Sequence, residues 1–194
     1  MVGPAEDRDR AGLSDFQVPL SLLKGSDDIV VGGLGSFLLA HLIGSHDPFF
    51  VEFVGFGPAG IHCYDMEGEK LWSKDLGQFP GDWGVAASPV ILGDQVIQNC
   101  DAIGPSRLVS LDKATGNIIW ETKREDKPRG GWSTPVFIET KGPPQLVLNG
   151  EFGAKGYDPA KGKELWFCKS FNGRGSPVPF HANGLIYQHQ HFSF

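Results

Sequence analysis

Short apolar runs separated by glycine, proline and small polar residues recur along most of the chain. In the middle of the chain this pattern predicts four β-strands, at roughly 86–92, 95–100, 107–112 and 117–123. The segments between them are rich in turn-forming residues: GD at 93–94, DAIGPS at 101–106 and KATG at 113–116. The 27 glycines and 14 prolines of the chain agree, because many tight turns accompany many short strands.

The pattern repeats with a period of about 46 residues. Three phrases align: CYDMEGEKLW (63–72), SLDKATGNIIW (110–120) and GYDPAKGKELW (156–166). A second phrase recurs with the same period, as ASPV, STPV and GSPV, and its proline falls at positions 89, 135 and 177. Each repeat carries one Asp, one Gly and one Trp at matching positions: Asp65, Gly68 and Trp72, then Asp112, Gly116 and Trp120, then Asp158, Gly162 and Trp166.

The Asp and Gly of each phrase predict a hairpin turn. The side chain of Asp112 can accept hydrogen bonds from nearby backbone N–H groups, and Gly116 can adopt positive φ without a steric clash. The phrase DMEG at 65–68 is one residue shorter and therefore requires a tighter turn.

The last strand of each repeat pairs an apolar residue with the Trp, as Leu71/Trp72, Ile119/Trp120 and Leu165/Trp166. We predict burial on both faces of this strand, and hence sheets stacked face to face. Four strands per repeat, a period near 46 residues and stacked sheets together predict an all-β fold, a β-propeller rather than a sandwich or a solenoid.

We predict two regions along the chain. Residues 1–48 match nothing in the repeat and form an N-terminal segment of uncertain structure. Residues 49–194 form a partial propeller of about three four-stranded antiparallel blades, with approximate bounds 49–75, 85–123, 132–168 and, incomplete, 175–194. The alternatives for this partial ring are a fragment of a larger protein, a truncated product, or an open arc that needs partners.

Composition excludes several classes of function. The net charge of −6 argues against nucleic acid as a partner, because phosphate binding needs a basic face. Three cysteines without a CxxC pair predict neither a disulfide framework nor a zinc site. The apolar run at 29–43 is too short to span a bilayer. We interpret it as a buried segment, with a degraded export signal as the alternative.

The phrase LDKATGNIIW, with a small residue two positions before the Asp, resembles the tryptophan-docking motif of PQQ-like (quinoprotein-type) β-propellers. In that family the small residue packs on the Trp ring; here it is Cys63, Ser110 or Gly156. The phrases WSTPV, LVLNGE and YDPAKGKELW are similar to bacterial PQQ-like repeat proteins related to the outer-membrane assembly lipoprotein BamB. The resemblance covers about 50–194 and implies a ring of seven or eight blades.

In a propeller, the loops between second and third strands and those between blades lie on one face. This places nine side chains as a candidate ligand-binding site: Asp82, Trp83, Asn99, Asp101, Arg129, Trp132, Asn149, Glu151 and Arg174. Carboxylates, arginines and tryptophans together suit a small polar ligand, a peptide or a hard cation. The alternative interpretation is structural, with Asn and Asp capping turns, Trp packing between blades and Arg pairing with acids.

No nucleophile, base or metal set is recognisable, so we predict a non-enzyme without cofactor or metal. The resemblance implies a scaffold that binds a protein or peptide outside the cytoplasm, with a role in envelope assembly. Self-association through an exposed blade face is a further expectation. One alternative is a fragment of a PQQ-dependent dehydrogenase, in which PQQ and a calcium ion held by Asn99, Asp101 and Glu151 would be needed. A small-ligand sensor domain is the other.

Overall fold

The computed structural model describes residues 33–34, 37–41, 51–55, 59–80, 84–139, 142–170 and 175–189. These residues form antiparallel β-sheets, and no α-helix occurs among them. Sheet 1 contains strands β1 to β5, at Gly33–Leu34, Phe37–His41, Val51–Gly55, Ile61–Asp65 and Lys70–Lys74. Sheet 2 contains β6 to β9, at Val90–Leu92, Gln95–Cys100, Arg107–Asp112 and Ile118–Lys123.

Sheet 3 repeats this arrangement with strands β10 to β13, at Val136–Ile138, Gln145–Gly150, Gly153–Tyr157 and Glu164–Lys169. Sheet 4 has two strands among the described residues, β14 and β15, at Phe180–Ala182 and Leu185–Tyr187. In every sheet each strand pairs with the next one along the chain. For the part of the chain that the structure describes, the predicted all-β fold is confirmed, with four-stranded antiparallel units in sheets 2 and 3 and five strands in sheet 1.

Two boundaries differ from the sequence prediction. Strand β6 begins at Val90 rather than near 86, because the N–H groups of Ala86 and Ala87 both donate to the carbonyl of Gly131 in the next repeat. Sheet 1 also begins earlier than residue 49, since β1 and β2 lie within the segment 1–48. The side chains of residues 29–43 lie outside those that the structure describes, so the burial of this run stays a prediction.

The core lies between successive sheets. Val96 of β7 packs in the apolar cluster between sheets 1 and 2, whereas its neighbour Ile97 packs in the cluster between sheets 2 and 3. Adjacent residues of a strand point to opposite faces, so this middle sheet is covered on both sides. The predicted face-to-face stacking is therefore confirmed, and the residues buried on both faces are those of the second and third strands.

The last strand of each sheet departs from the prediction of burial on both faces. Leu71, Ile119 and Leu165 remain 53%, 46% and 46% exposed. Each is the extra residue of a β-bulge. In sheet 2, Ser110 pairs with Trp120 while Leu111 pairs with Ile118, and the same shift occurs at Cys63/Trp72 and Gly156/Trp166. A bulge redirects the side chains beside it, so the Trp turns inward and its apolar neighbour is left on the outer edge.

The repeated tryptophans join one sheet to the next. The indole N–H of Trp72 donates to the carbonyl of Lys113 (3.0 Å), and its ring lies against Gly116. Trp120 makes the same contact one repeat later, donating to the carbonyl of Pro159 (3.0 Å) and lying against Gly162. Trp72 and Trp120 therefore each dock on the hairpin turn of the following sheet, in agreement with the tryptophan-docking motif that the repeat phrase resembles.

The turns themselves have the predicted chemistry. Asp112 Oδ1 accepts from the N–H (2.8 Å) and hydroxyl (2.7 Å) of Thr115, and these hydrogen bonds lower the pKa of the Asp112 carboxyl. The shorter turn uses the same device, with Asp65 Oδ1 accepting from the N–H groups of Glu67 and Glu69. Gly116 has φ +70°, a conformation that favours glycine.

Replacing Trp120 by Ala tests this docking. Trp120 is only 9% exposed, so we expect Trp120→Ala to lower the free energy of unfolding by about 3–5 kcal/mol, as for other buried aromatic side chains. Trp166 is the matched control, because it is partly exposed and donates to Gln145 of its own sheet. Urea denaturation of both variants should show a clearly smaller loss for Trp166→Ala; equal losses would contradict the docking role.

Candidate functional site

Six of the nine predicted site residues can be located in the structure; Asp82, Trp83 and Arg174 lie outside the described residues. The loop after β7 and the segment between sheets 2 and 3 do meet, as predicted. Ala102 forms an isolated β-bridge with Gly130, and a Cβ on Gly131 would lie 2.8 Å from the carbonyl oxygen of Asp101. These two segments therefore lie side by side, while the binding of a ligand there stays a prediction.

The two asparagines occupy equivalent positions and connect neighbouring repeats. Asn99 donates from Nδ2 to the carbonyl of Ser133 (3.1 Å), while its Oδ1 accepts from the N–H of Asp101 (3.1 Å). Asn149 donates to the carbonyls of Pro177 (3.1 Å) and His189 (2.9 Å). Both amides thus hold the end of a second strand against the segment that leads into the following sheet.

Asp101 belongs to a buried ion pair that sequence reasoning did not foresee. Its Oδ2 lies 3.2 Å from Nη2 of Arg124, with the two side chains 1% and 2% exposed. Burial raises the pKa of the Asp101 carboxyl to about 7, although the positive charge of Arg124 opposes the shift. Arg124 also donates from Nη1 to the hydroxyl of Tyr157, in sheet 3. The pair therefore joins sheet 2 to sheet 3.

Glu151 is held by Arg129. Arg129 donates from Nε to Oε1 (2.7 Å) and from its backbone N–H to Oε2 (2.9 Å), so both carboxylate oxygens are engaged. The Glu151 side chain is 8% exposed, whereas that of Arg129 is 70% exposed. Hydrogen bonding to Glu151 and its charge raise the pKa of Arg129. The guanidinium is the exposed part of this unit.

Trp132 likewise makes a contact between segments rather than presenting a free ring face. Its Nε1 donates to the carbonyl of Gly84 (3.0 Å), and a Cβ on Gly130 would lie 2.2 Å from the ring. Glycine at 130 is thus required by the packing of the indole. Each of the six described residues thus makes at least one contact with another segment or repeat, although Oδ1 of Asp101 is buried without a hydrogen-bond partner.

A cleft of about 460 Å³ opens at the same end of sheet 2. It lies between the loop 104–106, the start of β8 and the end of β9 with the turn that follows. Its charged lining residues are Arg107, Glu121, Lys123, Arg124, Glu125 and Lys127. The sequence analysis named only the loop of this cleft and did not predict its charged lining. The dense charge of ETKREDK at 121–127 is the sequence feature that could have indicated it.

Comparison with known proteins identifies the family. The family model described as outer membrane protein assembly factor BamB matches residues 51–169, more than half of the chain. The chain belongs to this family. The resemblance inferred from the repeat phrases is therefore confirmed, and the stacked sheets are part of a PQQ-like β-propeller.

A curated relative extends the comparison beyond BamB. Quinoprotein alcohol dehydrogenase PedH from Pseudomonas putida is 30% identical over 117 residues, which are 55% of this chain and 19% of that enzyme. The chain therefore spans about a fifth of the length of this relative.

Solved structures share the fold at low sequence identity. BamB from Moraxella catarrhalis aligns with a TM-score of 0.56 and 17% identity, covering 72% of this chain and 43% of that one. Quinohemoprotein alcohol dehydrogenase from Comamonas testosteroni aligns with a TM-score of 0.52 and 18% identity, covering 77% of this chain and 22% of that one. No helix among the described residues is long and apolar enough to span a membrane.

The dehydrogenase relatives raise the question of a calcium site at Asn99, Asp101 and Glu151. Calcium takes six to eight oxygen ligands. Here the Glu151 oxygens and Asn99 Oδ1 are occupied by N–H donors, and Asp101 faces an arginine. As arranged, these residues do not fit a calcium ion. Within the described residues, no cluster of three or more His, Cys, Asp or Glu could hold a metal.

The buried carboxyl of Asp101 should make stability depend on pH. Because its pKa is raised from 3.8 to about 7, the folded state retains a proton that the unfolded state releases between these values. Its contribution to the unfolding free energy is thus greatest below about pH 4 and declines as the pH rises toward about 7.

Asp101→Asn should remove this part of the pH dependence. In urea denaturation across about pH 4.5 to 7.5, the free energy of unfolding of the variant should rise relative to that of the wild type as the pH rises. Asp94→Asn, at an exposed turn, is the control and should run parallel to the wild type. Parallel curves for Asp101→Asn as well would contradict the assignment.

Proposed function

We propose that this domain is a non-catalytic PQQ-like β-propeller scaffold that binds a protein or peptide partner during assembly of the cell envelope. The observation that carries the proposal is the engagement of the loop-face polar groups in joining neighbouring repeats: Asn99 with Ser133, Arg124 with Asp101 and Tyr157, and Arg129 with Glu151. Because these contacts join one repeat to the next, they support a structural role for the loop-face residues and hence a scaffold. Membership of the BamB family supports the envelope role.

The same proposal extends to location and cofactors. The family description refers to the outer membrane, so we propose that the domain works outside the cytoplasm. It needs no cofactor, since the residues that could have mimicked a calcium set are held by protein partners. A nucleic-acid partner is disfavoured by the net charge of −6.

The loop end of sheet 2 is the proposed contact surface. Ile103 is 49% exposed there, whereas Ala114 is an exposed residue of the turn at the opposite end of the sheet. A photo-crosslinking residue, p-benzoylphenylalanine, can be placed at either position. In envelope extract we expect a discrete crosslinked protein from position 103 and none from position 114. No crosslink at 103, or equal crosslinking at 114, would contradict the proposal.

A dehydrogenase role is the second candidate, favoured by the 30% identity to PedH over 117 residues. One relative of the same fold is named as a europium-containing methanol dehydrogenase. The chain should therefore be incubated with PQQ and either calcium or europium, and dye reduction followed with simple alcohols as substrates. We expect no turnover above a metal-free control; reproducible turnover would overturn the non-catalytic proposal.

A further inference from the structure

Arg124 and Arg107 line the charged cleft on sheet 2 and also help to hold the structure together, whereas the ammonium groups of Lys123 and Lys127 make no such contact among the described residues. The cleft's volume of about 460 Å³ is within the range of sites that hold small ligands or a few side chains. Pro105 forms part of the wall, and Ile103 lies one residue before the lining and is half-exposed. The cleft thus offers an open polar pocket with an apolar residue at its edge.

Some of the charged side chains in the cleft have ion-pair partners and others do not. Arg107 lies 3.7 Å from Glu121 and donates to the carbonyl of Leu76, and Arg124 is paired with the buried Asp101. The ammonium groups of Lys123 and Lys127 have no ion-pair partner among the described residues. Only Glu125 offsets them, so the free charges of the cleft sum to positive in a protein whose net charge is −6.

The backbone at Lys127 is unusual for its side chain. Lys127 has φ +49°, in the left-handed region that glycine and asparagine adopt most readily, and its N–H donates to the carbonyl of Arg124 (3.1 Å) to close the turn. The turn would form at least as readily with glycine at this position. The fold therefore does not require the lysine, and its side chain can be removed without cost to the turn.

We propose that this cleft binds acidic side chains of the partner polypeptide, with Lys123 and Lys127 as the contacting cations. This assignment rests on the proposed function as a polypeptide-binding scaffold. Lysine ammonium groups at an exposed rim attract carboxylates and steer their approach. The positive cleft on an acidic protein favours an acidic segment over a neutral one, and Ile103 adds an apolar contact beside it.

Fluorescence anisotropy with labelled hexaglutamate and hexaglutamine tests the proposal. We expect hexaglutamate to bind and hexaglutamine not to bind. The double variant Lys123→Gln/Lys127→Gln should weaken hexaglutamate binding about tenfold, as expected for the loss of two exposed charge contacts. Binding should also weaken as salt rises to about 0.5 M. Failure of hexaglutamate to bind the wild type would overturn the proposal.

Two further variants separate the cleft from general effects. Lys161→Gln/Lys163→Gln makes the same change of charge on an exposed turn of sheet 3 and should leave binding unchanged; an equal loss there would overturn the assignment. Lys127→Gly should weaken binding while the melting temperature stays the same or rises. If it instead lowers the melting temperature without affecting binding, the lysine is structural and the proposal is wrong.

Inorganic phosphate distinguishes a peptide site from a site for free anions. Phosphate should displace hexaglutamate only to the extent that added chloride of equal ionic strength does; complete displacement at low concentration would assign the cleft to a free anion. The crosslink from position 103 separates the two proposals. If it persists in Lys123→Gln/Lys127→Gln, the scaffold function stands and the cleft is not its contact; its absence in the wild type refutes the scaffold function itself.

Discussion

The seating of an indole on the hairpin turn of the next sheet is the contact on which this architecture depends. A Cβ at Gly116 would lie 2.6 Å from the ring of Trp72, and one at Gly162 would lie 2.4 Å from that of Trp120. The glycine that allows the turn its positive φ is therefore also the glycine that admits the ring. One residue serves the local hairpin and the stacking of sheets, which explains why Asp, Gly and Trp recur together as a phrase.

The opposite end of the sheets is held by polar contacts instead. Asn99 bonds to the next repeat, and the buried Asp101–Arg124 pair reaches Tyr157 of sheet 3. Breaking a buried pair by removing one partner leaves an uncompensated charge and is strongly destabilising. Apolar docking at the turns and polar links at the loops thus fix the same interface from both ends.

This division of roles bears on function within the family. The relatives include an assembly factor and alcohol dehydrogenases on one fold, and a fold shared by both does not choose between them. The choice has to be argued from the site. Here Asn99 and Arg124 connect repeats, while the cleft carries two lysines whose ammonium groups have no ion-pair partner among the described residues; these are the observations on which the proposed binding role rests.

Local patterns predicted the repeat period, the hairpin turns and most of the strands, because residues such as Asp112 and Gly116 specify their hairpin wherever it lies. The sequence also identified the loops that meet, but not what their residues do. The bulge that leaves Leu71 exposed, the burial of Arg124 against Asp101, and the cleft around Lys127 were decided by tertiary structure. Bonds such as Asn99–Ser133 and Arg124–Tyr157 join residues 34 and 33 positions apart. Their geometry depends on how one sheet lies on the next, which no local pattern encodes.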